Sequence, residues 1–165
     1  MEEISTAGLS PSPPFIRLMQ PADVDRVLAI AAELPTAPHW SRQSYLDALD
    51  LSASSAPTRR VALVAEAEGV LLGFLIASLL LPEAELESIA VAPEAQQQGI
   101  GRLLLESAIA NLRSAGAHRF FLEIRASNSP AAALYSRLKF HEIGRRPNYY
   151  STPAEAAILM QLNLL

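Results

Sequence analysis

Gly99 and Gly101 lie two residues apart in Gln96-Gln97-Gln98-Gly99-Ile100-Gly101-Arg102, after an apolar stretch ending at Val91 and before an apolar-periodic one. Glycine lets backbone come close to a ligand that a Cβ would block. The first N–H groups of a following helix have no acceptor within it and face back to the turn. Together these make an anion site, for which phosphate is the usual guest. Two nucleotide fingerprints fail here. Leu104 occupies the third glycine position of GxGxxG, and Gly101 is followed by Arg102 where a Walker loop has lysine.

The loop resembles the Gln/Arg-x-x-Gly-x-Gly/Ala turn of the GNAT N-acetyltransferases, with Gln96, Gly99 and Gly101 at its fixed positions. A second block runs from Glu123 to Phe140 and includes Asn128, Ala131, Tyr135 and Phe140. It is similar to the family's Asn-x-x-Ala-x-x-x-Tyr-x-x-x-Gly-Phe signature, and its Glu-Ile-Arg-Ala-Ser-Asn opening resembles the RimI-type branch, the bacterial ribosomal-protein-alanine N-acetyltransferases. Arg145-Arg146-Pro147-Asn148-Tyr149-Tyr150 and Trp40-Ser41 resemble two further pieces of that branch. The chain departs from the branch pattern at His39, Ser88, Gln97, Lys139 and Pro147, where proline, asparagine, arginine, glycine and an uninterrupted Arg-Arg-x-Tyr-Tyr run are usual.

The resemblance implies an enzyme that moves acetyl from acetyl-CoA to an amine. Such a transfer must take a proton from the amine, stabilise the carbonyl oxygen, protonate the leaving thiolate and align both substrates. Tyr135 is the implied acid; a phenol is neutral and able to donate at pH 7. On its own, without the resemblance, it reads first as a core aromatic between Leu134 and Leu138. Glu123 is the implied base, acting directly or through water, with a solvent-facing strand carboxylate as the plain alternative. Glu85 and Glu87 are rivals, and a strand period of two gives them one facing.

The cofactor would lie along Ile89, Ala90 and Val91 and on Gln96, Gln97, Gln98, Gly99, Ile100, Gly101 and Arg102. The Val91 N–H is the implied oxyanion donor, on a strand that parts from its neighbour in this family. Asn128 reads either as a contact to the CoA chain or as a helix N-cap. Trp40, Glu87, Tyr149 and Tyr150 would bind the acceptor. The implied partner is a protein N-terminus, in particular that of a small-subunit ribosomal protein beginning with alanine. A small amine or lysine acceptor, and a non-catalytic acyl-CoA-binding module, are the other readings. Arg145 and Arg146 read as a solvated loop or as a contact to an acidic substrate surface.

The elements that must position these residues follow from periodicity. Phe15 to Met19 is a strand; Val24, Val27, Leu28 and Ala31 mark a helix from Pro21 that stops before Pro35; Ser41 caps a second helix carrying Tyr45, Leu46 and Leu49. Ser52 to Thr58 is a polar loop. Arg60 to Glu66 and Val70 to Leu81 are strands joined at Glu68-Gly69, with Gly73 marking a bulge. Leu86 to Val91 leads into the loop. The helix after it buries Leu104, Ala108, Ile109, Leu112 and Ala115 and ends at Gly116. A strand from His118 to Arg125, a helix from Pro130 and strands at Phe140–Gly144 and Ala156–Asn163 complete the order. This pattern predicts an α/β domain at 15–165, a mixed, mostly antiparallel GNAT-like sheet with helices on both faces, preceded by a mobile tail at 1–14.

Composition narrows the class. The chain has 165 residues, 50% hydrophobic and 18% charged, which suits one folded domain. A net charge of −4 argues against direct nucleic-acid binding. With no cysteine and no paired spacing among His39, His118 and His141, no metal is expected. The absence of a secretory signal and of a membrane-spanning run leads to an expectation of a cytoplasmic protein, with a monomer favoured.

Overall fold

The computed structural model describes residues 10–50 and 58–165. The first nine residues of the expected tail, and the expected polar loop up to residue 57, lie outside them. Seven strands form one sheet: β1 (Phe15–Leu18), β2 (Arg59–Ala67), β3 (Val70–Leu80), β4 (Glu83–Val91), β5 (Arg119–Arg125), β6 (His141–Ser151) and β7 (Ala154–Asn163), in the order β1-β2-β3-β4-β5-β7-β6. Every pairing is antiparallel except β4 with β5. The helices are α1 (Val24–Ala32), α2 (Arg42–Leu49), α3 (Ile100–Ser114) and α4 (Ser129–Arg137). The order of strands and helices along the chain is the one its periodicity predicts.

Local chemistry accounts for the element ends. The Ser41 hydroxyl accepts from the Ser44 N–H and starts α2, and the Asn128 side chain accepts from the Ala131 N–H and starts α4. Gly99 has φ +80°, so the turn into α3 needs the left-handed backbone that glycine adopts without strain. Lys139 is also left-handed, at φ +74°, which costs about 1 kcal/mol for a side chain with a Cβ.

Facing pairs divide the helices between the two sides. Tyr45 of α2 packs edge-on against Phe74 of β3, with ring centroids 6.0 Å apart. Ile100 of α3 approaches the neighbouring Gly73, which faces the other way. So α2 covers one face and α3 the other. Tyr135 of α4 packs on Phe140, which packs on Phe120 of β5, placing α4 on the α3 side. Phe121 and Glu123 alternate with Phe120 and therefore emerge on the α2 side. Leu75, Leu104, Leu105, Leu112 and Phe120 are fully buried between sheet and helices.

Bulges interrupt the register of β3 and β4, and two further irregularities lie in β6. On β3, Leu72 is unpaired between Gly73, opposite Ala65, and Leu71, opposite Glu66; the irregularity expected at Gly73 thus falls one residue earlier. On β4, Glu87 is the extra residue, because Ile76 pairs with Ser88 and Ala77 with Leu86. Simple alternation from Glu85 to Val91 therefore fails. Ser88, not Ile89, shares the face of Glu85. The Glu87 side chain still reaches that face, where it meets Arg60. β4 also begins at Glu83, three residues before the expected start.

Gly73 is a site of close approach. A Cβ there would lie 2.8 Å from the Ala90 carbonyl oxygen and 3.3 Å from the Val91 Cα, both backbone atoms. At Gly101 the nearest atom would be a Leu134 methyl at 3.5 Å, an ordinary contact. Gly73→Ala should therefore lower stability by about 1–3 kcal/mol, and Gly101→Ala by under about 1 kcal/mol. Urea unfolding of both variants checks the contrast.

Candidate active site

β4 and β5 are paired only from Glu83, Ala84 and Glu85 to Arg119, Phe120 and Phe121. Past this third rung the strands continue without pairing to each other. The edge of β4 from Leu86 to Val91 is open on that side. The Ala92 N–H donates to the Leu72 carbonyl on β3 at 2.8 Å. Amides alternate in direction along a strand, so the N–H groups of Val91 and Ile89 point into the opening. The Gln96 side-chain amide donates to the Val91 carbonyl at 3.1 Å, tying the loop to the end of the open edge.

The Gln96–Arg102 turn stands at the wide end of this opening. A Cβ on Gly99 would meet no atom within 4 Å, so this glycine faces open space. Gly101 points instead at Leu134 and Val91, so of the two glycines only Gly99 faces open space. Gln97 is itself left-handed at φ +60°. The Leu103 N–H bonds to the Gly99 carbonyl, which leaves the amides of Ile100, Gly101 and Arg102 as the free N-terminal donors of α3. The Arg102 guanidinium is drawn aside to Glu106 at 2.7 Å on the exposed helix surface. An anionic group could rest on these donors while a narrow chain pairs with the β4 edge.

Tyr135 lies on the α4 side of the opening. It is 4% exposed, and its phenol has no hydrogen-bond partner among the described residues. Burial pushes its pKa above that of an ordinary phenol, which keeps it protonated. Asn128 is the N-cap of α4 through its oxygen, as one of its two sequence readings had it.

The opposite face holds a cavity of about 480 Å³, floored by Glu85, Phe121, Glu123 and Leu159 and walled by Arg146. Arg146 lies 3.5 Å from Glu123. Glu123 also interacts with the Tyr149 phenol and raises its pKa. The segment expected as a loop, Arg145 to Tyr150, is instead part of β6. It is bulged where Arg146 pairs with Ala157 and Tyr150 with Glu155, so that Pro147, Asn148 and Tyr149 oppose a single residue. The bulge presents Tyr149, half-exposed and edge-on to Tyr150 at 5.1 Å. Tyr150 is covered by the Arg125 guanidinium at 4.1 Å. Trp40 is further along the α2 side, against Tyr45 at 5.3 Å and lining a second, shallower cavity with His39 and Arg60. Glu87 is held by Arg60 through two hydrogen bonds of 2.7 and 3.1 Å.

The structure thus gathers Glu123, Tyr149 and Tyr150 in one place, with Trp40 lining a separate cavity that includes Arg60, the partner of Glu87. Tyr135 and the loop lie across the opening. Arg60, 27 residues from Glu87, was not singled out from sequence, and Arg146, read there as a solvated loop residue or a contact to an acidic substrate surface, lies against Glu123. No local signal pairs residues so far apart. Among the described residues no helix is long and apolar enough to cross a membrane, and no group of three or more His, Cys, Asp or Glu could hold a metal ion.

A buried polar pair adjoins the site. The Tyr45 phenol leans toward Ser88 on β4, yet neither hydroxyl completes a hydrogen bond. An unmade hydrogen bond in the core contributes nothing to offset desolvation. Tyr45→Phe should leave stability within about 0.5 kcal/mol of the parent or raise it, measured by urea unfolding.

Comparisons with known proteins bear on this arrangement. The family model described as Acetyltransferase (GNAT) family matches residues 25–140. The ribosomal protein bS18-alanine N-acetyltransferase of Escherichia coli is 47% identical over 96 residues, covering 57% of this chain and 65% of that protein, so the match spans less than two thirds of that relative's length. A putative enzyme of the same name from Bacillus subtilis is 32% identical over 149 residues, 90% of this chain and 95% of that one. The crystal structure of the Escherichia coli ribosomal-protein-alanine N-acetyltransferase matches with a TM-score of 0.79 and 33% identity, over 92% of this chain and 94% of that one.

Proposed function

The chain belongs to the GNAT acetyltransferase family, and on that premise we propose that it transfers the acetyl group of acetyl-CoA to the N-terminal α-amine of a protein, specifically a ribosomal protein beginning with alanine. The observation that carries this reading is the opening between β4 and β5. A buried phenol, Tyr135, lies on the α4 side of the sheet, and a cavity lined by Glu85 and Glu123 lies on the other. The similarity to bS18-alanine N-acetyltransferases supports the choice of acceptor.

In this reading the pyrophosphate rests on the α3 amides and the pantetheine arm pairs with the free edge of β4. The Ile89 and Val91 N–H groups face the thioester, and Val91 is assigned to the carbonyl oxygen as charge develops there. The acceptor arrives on the α2 side between Trp40 and the Tyr149-Tyr150 pair. Its proton passes to the carboxylate face, where the Glu123 motif points, directly or through a water. Nitrogen attacks the carbonyl carbon, the C–N bond forms, the C–S bond breaks, and Tyr135 gives its proton to the departing sulfur. Residues 15–165 act as one catalytic domain.

An α-amine, with a pKa of about 8, is roughly a tenth neutral at pH 7, against well under a thousandth for a lysine amine at about 10.4. A carboxylate base therefore finds a chain end easier to activate. Mass spectrometry should show acetylation of peptides with a free alanine N-terminus and none of N-blocked peptides carrying an internal lysine. Faster modification of the blocked peptide would replace the α-amine reading with lysine acetylation.

Tyr135→Phe keeps the ring that packs on Phe140 and loses one oxygen. Acetyl-CoA affinity by calorimetry should stay unchanged while turnover falls by about 10²-fold or more. Normal turnover would return Tyr135 to a purely structural role in the core.

A further inference from the structure

Strand pairing alone does not fix the β6–β7 hairpin on the acceptor side. Among the described residues β6 pairs only with β7, and that ladder breaks between Arg146 and Tyr150. The Arg125 side chain reaches this region from β5. It is the last residue of that strand and faces the α2 side, two residues beyond Glu123. Its guanidinium lies over the Tyr150 ring, 4.1 Å from the centroid. The same group donates to the Thr152 and Pro153 carbonyls of the hairpin turn and to Glu155, each at 3.4 Å. The other Glu155 oxygen accepts the Ser127 N–H, one residue before the Asn128 cap of α4. Arg146 holds the matching place on β6, since both arginines pair with Ala157, but it turns to Glu123.

Resting on the amine-acetylation reading, we propose that Arg125 is a positioning residue for the acceptor, holding the Tyr150 ring and the β6–β7 turn where the acceptor chain is received. It touches neither substrate in this role and acts through the ring it covers. Arginine suits the task. A planar guanidinium stacks on a ring face while its N–H groups donate outward in its own plane. A lysine ammonium is a point charge and cannot do both in one fixed geometry. The Arg125 side chain is mostly buried, at 23% exposure. A desolvated cation is held more strongly by an aromatic face than an exposed one.

The neighbouring groups carry the effect further. Tyr149 lies edge-on to Tyr150 at 5.1 Å and interacts with Glu123, so a shift of Tyr150 disturbs the ring beside that carboxylate. Hydrogen bonds from Ser127, and then from Arg125, hold the Glu155 carboxyl below the ordinary carboxylate range. It therefore stays ionised at neutral pH and keeps the guanidinium in place. Without Arg125 the turn carbonyls, Glu155 and the Tyr150 ring lose a shared partner together. The acceptor would then have to order the ring as it binds, and that entropy cost weakens its binding.

The test is a double-mutant cycle of Arg125→Gln and Tyr150→Leu, read as kcat and KM for an alanine-initiated peptide and as acetyl-CoA affinity by calorimetry. Arg125→Gln should raise the peptide KM about tenfold, with kcat within about threefold of the parent and acetyl-CoA affinity unchanged. Arg125→Lys, which keeps the charge and loses the fork, should fall between the two. Once Tyr150→Leu is in place, Arg125→Gln should add less than about twofold, because residues acting through one contact are not additive. If Arg125→Gln does not fold, the cycle is run with Arg125→Lys, which should raise the peptide KM about threefold with the ring and leave it unchanged without it. A peptide KM within about twofold of the parent in the variant used would overturn the proposal. So would an equal effect with and without the Tyr150 ring, or a fall in kcat and acetyl-CoA affinity that accompanies the rise in KM, the signature of a structural role alone. If the parent acetylates lysine or small amines instead, the same cycle is run on that acceptor. A parent that acetylates no amine sinks the amine-acetylation reading and the positioning role with it, whereas an active parent indifferent to Arg125 sinks the positioning role alone.

Discussion

Everything in this structure depends on a hydrogen-bond ladder that stops. β4 and β5 are the one parallel pair among the described residues, and they share only three rungs before diverging. A backbone N–H or C=O in a protein interior needs a partner, and an unpaired strand edge is costly unless something else pairs with it. The free edge from Leu86 to Val91 therefore leaves backbone groups that an incoming chain could pair with. It is shaped for an extended, narrow guest that can supply the missing hydrogen bonds.

The opening also connects two chemical environments that the sheet would otherwise keep apart. On the α3 and α4 side the surroundings are apolar, and burial holds Tyr135 protonated. On the α2 side carboxylates and the Arg146 guanidinium line a cavity. A reaction that needs an acid at one end and proton acceptors at the other can run through such a passage without the two groups neutralising each other. The bulges adjust the fit. Glu87 sits at the β4 bulge, where Arg60 binds it, and the wide bulge in β6 places Tyr149 beside Glu123.

Charge arrangement on the acceptor side separates carboxylates that composition alone makes equivalent. Guanidinium pairs satisfy Glu83, Glu87 and, at longer range, Glu123, while Glu85 feels Arg146 without forming an ion pair with it. These pairs are partly exposed, so their main effect is on where protons and cationic substrates settle rather than on stability.

The sequence by itself determined what depends on near neighbours. Ser41 and Asn128 cap their helices through bonds to the residue three ahead, and Gly99 takes the left-handed turn into α3. The order of strands and helices, and the motif blocks around Gly99 and Tyr135, were legible for the same reason: periodicity and turn chemistry act over a few residues. Only the tertiary structure decided the rest. Which amide of β4 faces the opening depends on the register with β3, and a bulge at Glu87 shifts the alternation that a strand period would predict. Arg145 to Tyr150 joined β6 because β7 was there to pair with it. Gly101 proved to face Leu134 of α4, a helix that begins 28 residues later. The surroundings of Glu87 and Glu123 differ because their partners, Arg60 and Arg146, come from strands distant in the chain, and no local pattern encodes a charge pair formed across a sheet.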